Sequence, residues 1–114
     1  MSVTVRNLSR ENWEPWKEEG YQDASSIMMV PRTDATSVSC RIIKLNPNGY
    51  TELHSHKRIH YVIVLQGIVE LKTDKENFML NDLISVRIEA GVPHKFINKR
   101  NETALIQVLN IFKD

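Results

Sequence analysis

Cysteine is nearly absent from this 114-residue chain: the single thiol, Cys40, excludes an intramolecular disulfide and any paired-cysteine zinc or redox site. A reducing, cytoplasmic setting is therefore expected. Charge of one sign is also lacking. Fifteen Lys and Arg stand against fourteen Asp and Glu, a net charge of +1, so no broad field draws the chain to DNA, RNA or an anionic membrane. No window approaches the roughly 20 apolar residues of a membrane helix, and MSVTVRNLSREN carries no apolar stretch of signal-peptide length. Neither nucleic acid nor membrane is expected as a partner. What is present is a globular composition, 41% hydrophobic and 25% charged, in a length that suits one domain.

Short apolar runs recur about every ten residues from residue 26 onward, separated by polar or Gly/Pro/Asn punctuation, which reads as all-β. The expected strands are Ser26–Val30, Ser37–Leu45, Tyr50–His56, His60–Gln66, Ile68–Thr73, Phe78–Leu80, Leu83–Ile88, Lys95–Ile97 and Thr103–Phe112. Turn residues at Asn46-Pro47-Asn48-Gly49, Asp74-Lys75-Glu76-Asn77, Asn81-Asp82 and Ala90-Gly91-Val92-Pro93 predict hairpins between consecutive strands. One short helix is predicted over Asn12–Glu19, with Pro15 in its first turn, Gly20 as its stop, and Trp13 and Trp16 on one face. Those tryptophans either pack on the sheet, cover a barrel mouth or bind a partner.

The four histidines fall at positions 54, 56, 60 and 94, three of them within HSHKRIH. On a strand, His54 and His56 point to one face and can reach one ion, and Glu52 shares their parity. His60 begins the next strand and brings a third imidazole close. Converging neutral imidazoles suit Zn, Cu, Fe or Ni; the alternative is a set of surface or hydrogen-bonded histidines.

Two motifs then resemble the cupin superfamily. The first is Gly49-Tyr-Thr-Glu-Leu-His54-Ser-His56-Lys-Arg-Ile-His60-Tyr-Val-Ile-Val-Leu-Gln-Gly67, in which His60 replaces the usual glutamate; the second is Glu89-Ala-Gly91-Val-Pro93-His94-Lys-Phe-Ile-Asn98. The resemblance implies a double-stranded β-helix, a jelly-roll barrel over residues 37–112 with residues 1–30 as an N-terminal extension. It also implies a metal held by His54, His56, His60 and His94, as in small single-domain cupins of the conserved-barrel type with four-histidine sites, some of them manganese-binding. The ion's identity among Mn, Fe, Ni and Zn stays open. Such a site brings no negative charge, so the ion would keep its full +2 and favour an anionic or chelating oxygen ligand.

Arg41, with the parity of Ile43 and Leu45, either faces the cavity to clamp a carboxylate or stabilise an oxyanion, or lies on the surface. Glu52 is a candidate hydrogen-bond partner or base, or else a rim carboxylate. Val62, Val64 and Phe96 are candidates for an apolar pocket wall. Gly91 and Asn98 read as structural, and Cys40 as a buried small residue. The functional expectation is a Mn- or Fe-dependent enzyme, such as a dioxygenase acting on a small organic molecule. A sugar-phosphate isomerase or epimerase, or a small-molecule sensor without turnover, are the alternatives. The resemblance also implies a homodimer, with Met1–Val30 the segment most suited to completing a sheet across subunits.

Overall fold

The structure is a computed structural model that describes residues 2–33 and 36–112. After a single 3-10 turn at Leu8–Arg10, nine strands follow: β1 Glu14–Pro15, β2 Gln22–Val30, β3 Val38–Tyr50, β4 Ile59–Gln66, β5 Val69–Thr73, β6 Asn77–Leu80, β7 Ser85–Ile88, β8 His94–Ile97 and β9 Ala104–Ile111. They hydrogen-bond in the order β6-β5-β8-β3-β9-β4-β7, with β2 added to β3 and β1 to β2. The result is an almost entirely β, nearly closed barrel. No helix among the described residues is long and apolar enough to cross a membrane.

Period-2 alternation sets the inside of the barrel. The strand β9 buries Ala104, Ile106, Val108 and Asn110, and β4 buries Val64, Val62 and His60 directly opposite the last three. Along β3 the inward row runs Leu45, Ile43, Arg41; along β8 it runs Phe96, His94. Each row is apolar at one end and polar at the other. The apolar ends merge into one core that includes Leu45, Val62, Val64, Val69, Leu71, Phe96 and Ile106. The polar ends surround a cavity at the opposite end of the barrel.

Hairpins form at β1–β2, β2–β3 and β5–β6, but the expectation that consecutive strands pair throughout is corrected: β9 lies between β3 and β4, and β8 between β3 and β5. Turn chemistry reports where the chain reverses, whereas partner choice follows which apolar rows must share a core. The segment Asn46-Pro47-Asn48-Gly49 is likewise a corner inside β3 rather than a hairpin. There β3 leaves β9 after the Leu45–Ala104 pair and joins β8 at the Tyr50–Ile97 pair, with Asn48 at a φ of 67°. Asn98, fully buried, holds this corner: its Nδ2 donates to the Leu45 and Glu102 carbonyls at 2.9 and 2.7 Å, and its backbone N–H donates to Gly49 O at 2.8 Å.

The helix expected over Asn12–Glu19 is also corrected. Glu14 and Pro15 pair as a strand with Ser26 and Ser25, and Trp16 N–H donates to Ala24 O at 3.0 Å. An eight-residue helix has little stability of its own, and the open edge of β2 offers the backbone hydrogen bonds instead. The two tryptophans consequently separate. Trp13 donates its indole N–H to Leu8 O at 3.0 Å, while Trp16 packs against the core and stacks on Tyr21 at a centroid separation of 5.1 Å.

Candidate metal centre

The expected strand Tyr50–His56 contributes only Tyr50 to β3. Residues 51–58 form a connection in which His54 makes a single antiparallel bridge to His94, with N–H to carbonyl distances of 3.2 and 3.0 Å. That bridge ties the HSH segment to the start of β8, and β4 carries His60 in beside them. The four rings form one cluster: centroids lie 4.2 Å apart for His54 and His56, 4.9 Å for His56 and His60, 5.0 Å for His60 and His94, and 5.5 Å for His56 and His94. Ligand nitrogens of His54, His56 and His94 all fall within 4.8 Å of one another. Three histidines are thus placed where they could hold a metal ion.

Hydrogen bonds fix the tautomers of two rings. Asn110 Nδ2 donates to Ser39 Oγ at 3.1 Å, which turns Asn110 Oδ1 toward His60 Nδ1 at 2.5 Å. His60 must therefore carry its proton on Nδ1 and leave the Nε2 lone pair free. His94 Nδ1–H donates to Val92 O at 2.9 Å, with the same result. His60 Nε2 is buried and has no hydrogen-bond partner, an atom whose desolvation goes uncompensated unless something binds it. Neutral rings, outer hydrogen bonds and an orphaned nitrogen are what a metal site requires of its protein.

Burial is the first cause that keeps these imidazoles neutral, and the positive charge of Arg58 adds to it. His54 and His94 lie below the usual histidine value, His60 falls to about 4 and His56 to about 3. Unfolded imidazoles protonate near pH 6.5, so between there and about pH 4 the unfolded chain binds more protons than the folded one. The metal-free protein should therefore lose stability as pH falls through that window and hold it above about pH 7. Calorimetric melting at stepped pH checks this; an unchanged Tm from pH 7 to pH 5 would contradict it.

The cavity of about 230 Å³ is lined by the four histidines together with Arg41, Arg58, Trp16, Tyr21 and Phe96, and by Ile43, Thr51, Val108 and Asn110. Arg41 thus faces inward, where its Nη1 donates to Ser26 Oγ at 3.1 Å, and Phe96 forms part of the wall. Val62 and Val64 do not line the cavity: they lie in the closed core. Glu52 stands on the rim, its side chain half exposed and Oε2 3.9 Å from His54 Nδ1. Cys40 is buried on β3 and free. Arg58 was not singled out by the sequence reading although it continues the parity of His54, His56 and His60. Asn110 continues the inward row of β9 and was legible in the same way. Tyr21 carried no local signal.

Structural comparison places the chain close to several solved proteins at low identity. The polyketide cyclase RemF from Streptomyces resistomycificus superposes with a TM-score of 0.84 at 19% identity, over 98% of this chain and 81% of that one. A sugar phosphate isomerase of the cupin superfamily from Silicibacter pomeroyi gives 0.81 at 16% identity, over 96% and 76%. The Cupin_2 domain of an XRE family transcriptional regulator from Enterobacter cloacae gives 0.71 at 22% identity, over 82% and 100%. At these identities the likeness establishes the fold alone. No curated protein matches the sequence. Residues 41–112 match the family model described as the cupin domain, and with more than half of its length inside that match the chain belongs to the cupin family, Cupin_2.

Proposed function

We propose that His54, His56, His60 and His94 hold one divalent transition metal, Mn or Fe in the first instance, and that the protein is a metal-dependent enzyme, of the dioxygenase kind, acting on a small organic molecule. The observation that carries this reading is the buried, unpartnered Nε2 of His60, on a ring oriented by Asn110 and set among three further imidazoles. A bound ion of this class supplies Lewis acidity and, if redox-active, a route to oxygen chemistry.

The chain's own residues would bind and orient the substrate. Arg41 and Arg58 present guanidinium donors to the cavity, Phe96 and Val108 give it apolar wall, and stacked Trp16 and Tyr21 add aromatic lining. Among the described residues no carboxylate lines the cavity, so proton transfer through Glu52 would require a bridging water from the rim. The two arginines also suit a phosphate group, and the solved sugar phosphate isomerase shares the fold; isomerisation of a sugar phosphate is accordingly the second reading.

The test is metal analysis of the untagged protein, followed by oxygen uptake and isomerase assays on the loaded form. About one ion per chain with oxygen consumed in step with substrate is expected. Isomer formation without oxygen uptake would favour the second reading, and ligand-induced stabilisation without turnover would favour a sensor. If no metal is retained after incubation with Mn, Fe, Ni and Zn and desalting, the metal-dependent reading fails.

A further inference from the structure

Two arginines enter the cavity, and neither has a carboxylate partner among the described residues. Arg41 donates to a neutral hydroxyl, Ser26 Oγ, at 3.1 Å. Arg58 donates its Nε–H to a neutral amide oxygen, Asn110 Oδ1, at 3.3 Å, and its guanidinium carbon lies 5.3 Å from the centroid of Phe112. Both side chains are half-buried. Both line the same cavity. Arg58 shares that lining with all four histidines.

Two like charges withdrawn from water with only neutral partners are costly. Among the described residues aspartate and glutamate are missing from the lining, and the rim carboxylate Glu52 lies against His54 rather than against either arginine. A folded chain that needed these cations only for packing would gain by pairing them. Their arrangement instead leaves room for an anion from outside, and a guanidinium is well suited to oxyanions because its planar fork matches two oxygens.

We propose that the cavity takes a small organic oxyanion, a carboxylate or a phosphate monoester, with its charged end between Arg41 and Arg58 and its body against Trp16, Tyr21 and Phe96. The cavity, at about 230 Å³, is smaller than the roughly 300–1,000 Å³ of drug-sized pockets, which points to a molecule of about one ring. The substrate role of this anion rests on the metal-enzyme reading above; the anion site itself stands on residues outside the histidine set.

The probes are benzoate, phenyl phosphate and neutral benzamide, titrated calorimetrically into protein stripped of metal by a chelator and dialysed. At least one anion should bind ten times or more tighter than benzamide, with an affinity that falls as salt rises. Preference between the two anions identifies the carboxylate or the phosphate as the group recognised. Arg41→Gln and Arg58→Gln should each weaken the preferred anion tenfold or more and leave benzamide unaltered, and Arg58→Lys should recover part of the loss. Near-UV circular dichroism checks folding; should Arg41→Gln not fold, the Arg58 pair carries the test. Benzamide binding as tightly as the anions, no binding of either anion, or indifference to the arginines overturns the proposal. Metal content measured in parallel separates the two readings. Arginine-dependent anion binding in a protein that never retains metal sinks the metal reading and leaves this one standing, and the reverse result does the opposite.

Discussion

Changing His54 and His56 together to alanine is expected to remove the bound metal altogether, from about one ion per chain to none after desalting, as read by inductively coupled plasma mass spectrometry. The two rings sit 4.2 Å apart on the connection between β3 and β4, and with them go two of the three nitrogens that lie within 4.8 Å of one another. The fold should survive, because both side chains are only half-buried and neither belongs to the apolar core. Melting separates loss of metal from loss of structure. Added metal should raise the Tm of the unaltered protein, since a ligand bound only by the folded state stabilises it by mass action, about 4 kcal/mol at 1,000 times Kd. The double variant should show no such rise. Asn110→Ala, which removes the oxygen that orients His60, should weaken metal binding by roughly 10–100-fold without abolishing it. A double variant that keeps its metal would place the ion elsewhere.

The second large effect is on stability and concerns the far side of the barrel from the cavity. Asn98→Ala should cost about 2–4 kcal/mol, seen as a Tm roughly 10 °C lower. The amide of Asn98, fully buried, is the partner of the Leu45 and Glu102 carbonyls and accepts from Arg100 N–H at 2.9 Å. Truncation leaves the buried Leu45 carbonyl without this donor at the point where β3 bends from β9 to β8. Asn98→Asp discriminates the cause. A carboxylate keeps the shape and the acceptor but cannot donate to Leu45 O, so it should be at least as damaging as alanine. If aspartate is tolerated, the residue acts by filling space, and the hydrogen-bond account is wrong.

The two effects divide the barrel as its sequence does. The inward rows of β3, β4, β8 and β9 pass from Leu45, Val64, Phe96 and Ile106 to Arg41, His60, His94 and Asn110, so one end builds the apolar core and the other lines the cavity. A polar residue in an inward row is costly unless it is paired or has a function, and among the described residues the one buried side-chain atom without a partner, His60 Nε2, belongs to a residue that lines the cavity.

By itself the sequence determined the all-β class, from short apolar runs at regular intervals, and the family, from two motifs in order around His54, His56, His60 and His94. It also put Val62, Val64 and Phe96 on an inward face, because strand alternation is a local property that survives any choice of partner. Tertiary structure alone decided the pairing. Nothing local in β9 indicates that it lies between β3 and β4, and the Asn46–Gly49 turn chemistry serves equally for a hairpin and for the corner held by Asn98. The segment around Trp13 and Trp16 took a strand because the edge of β2 was available, a fact invisible over eight residues. The convergence of the site was decided in the same way: His54 meets His94 through a backbone bridge spanning forty positions, and Arg58 and Tyr21 join them only when the barrel closes. Periodicity is written into neighbouring residues, whereas register and convergence follow from burying all the apolar rows in one core.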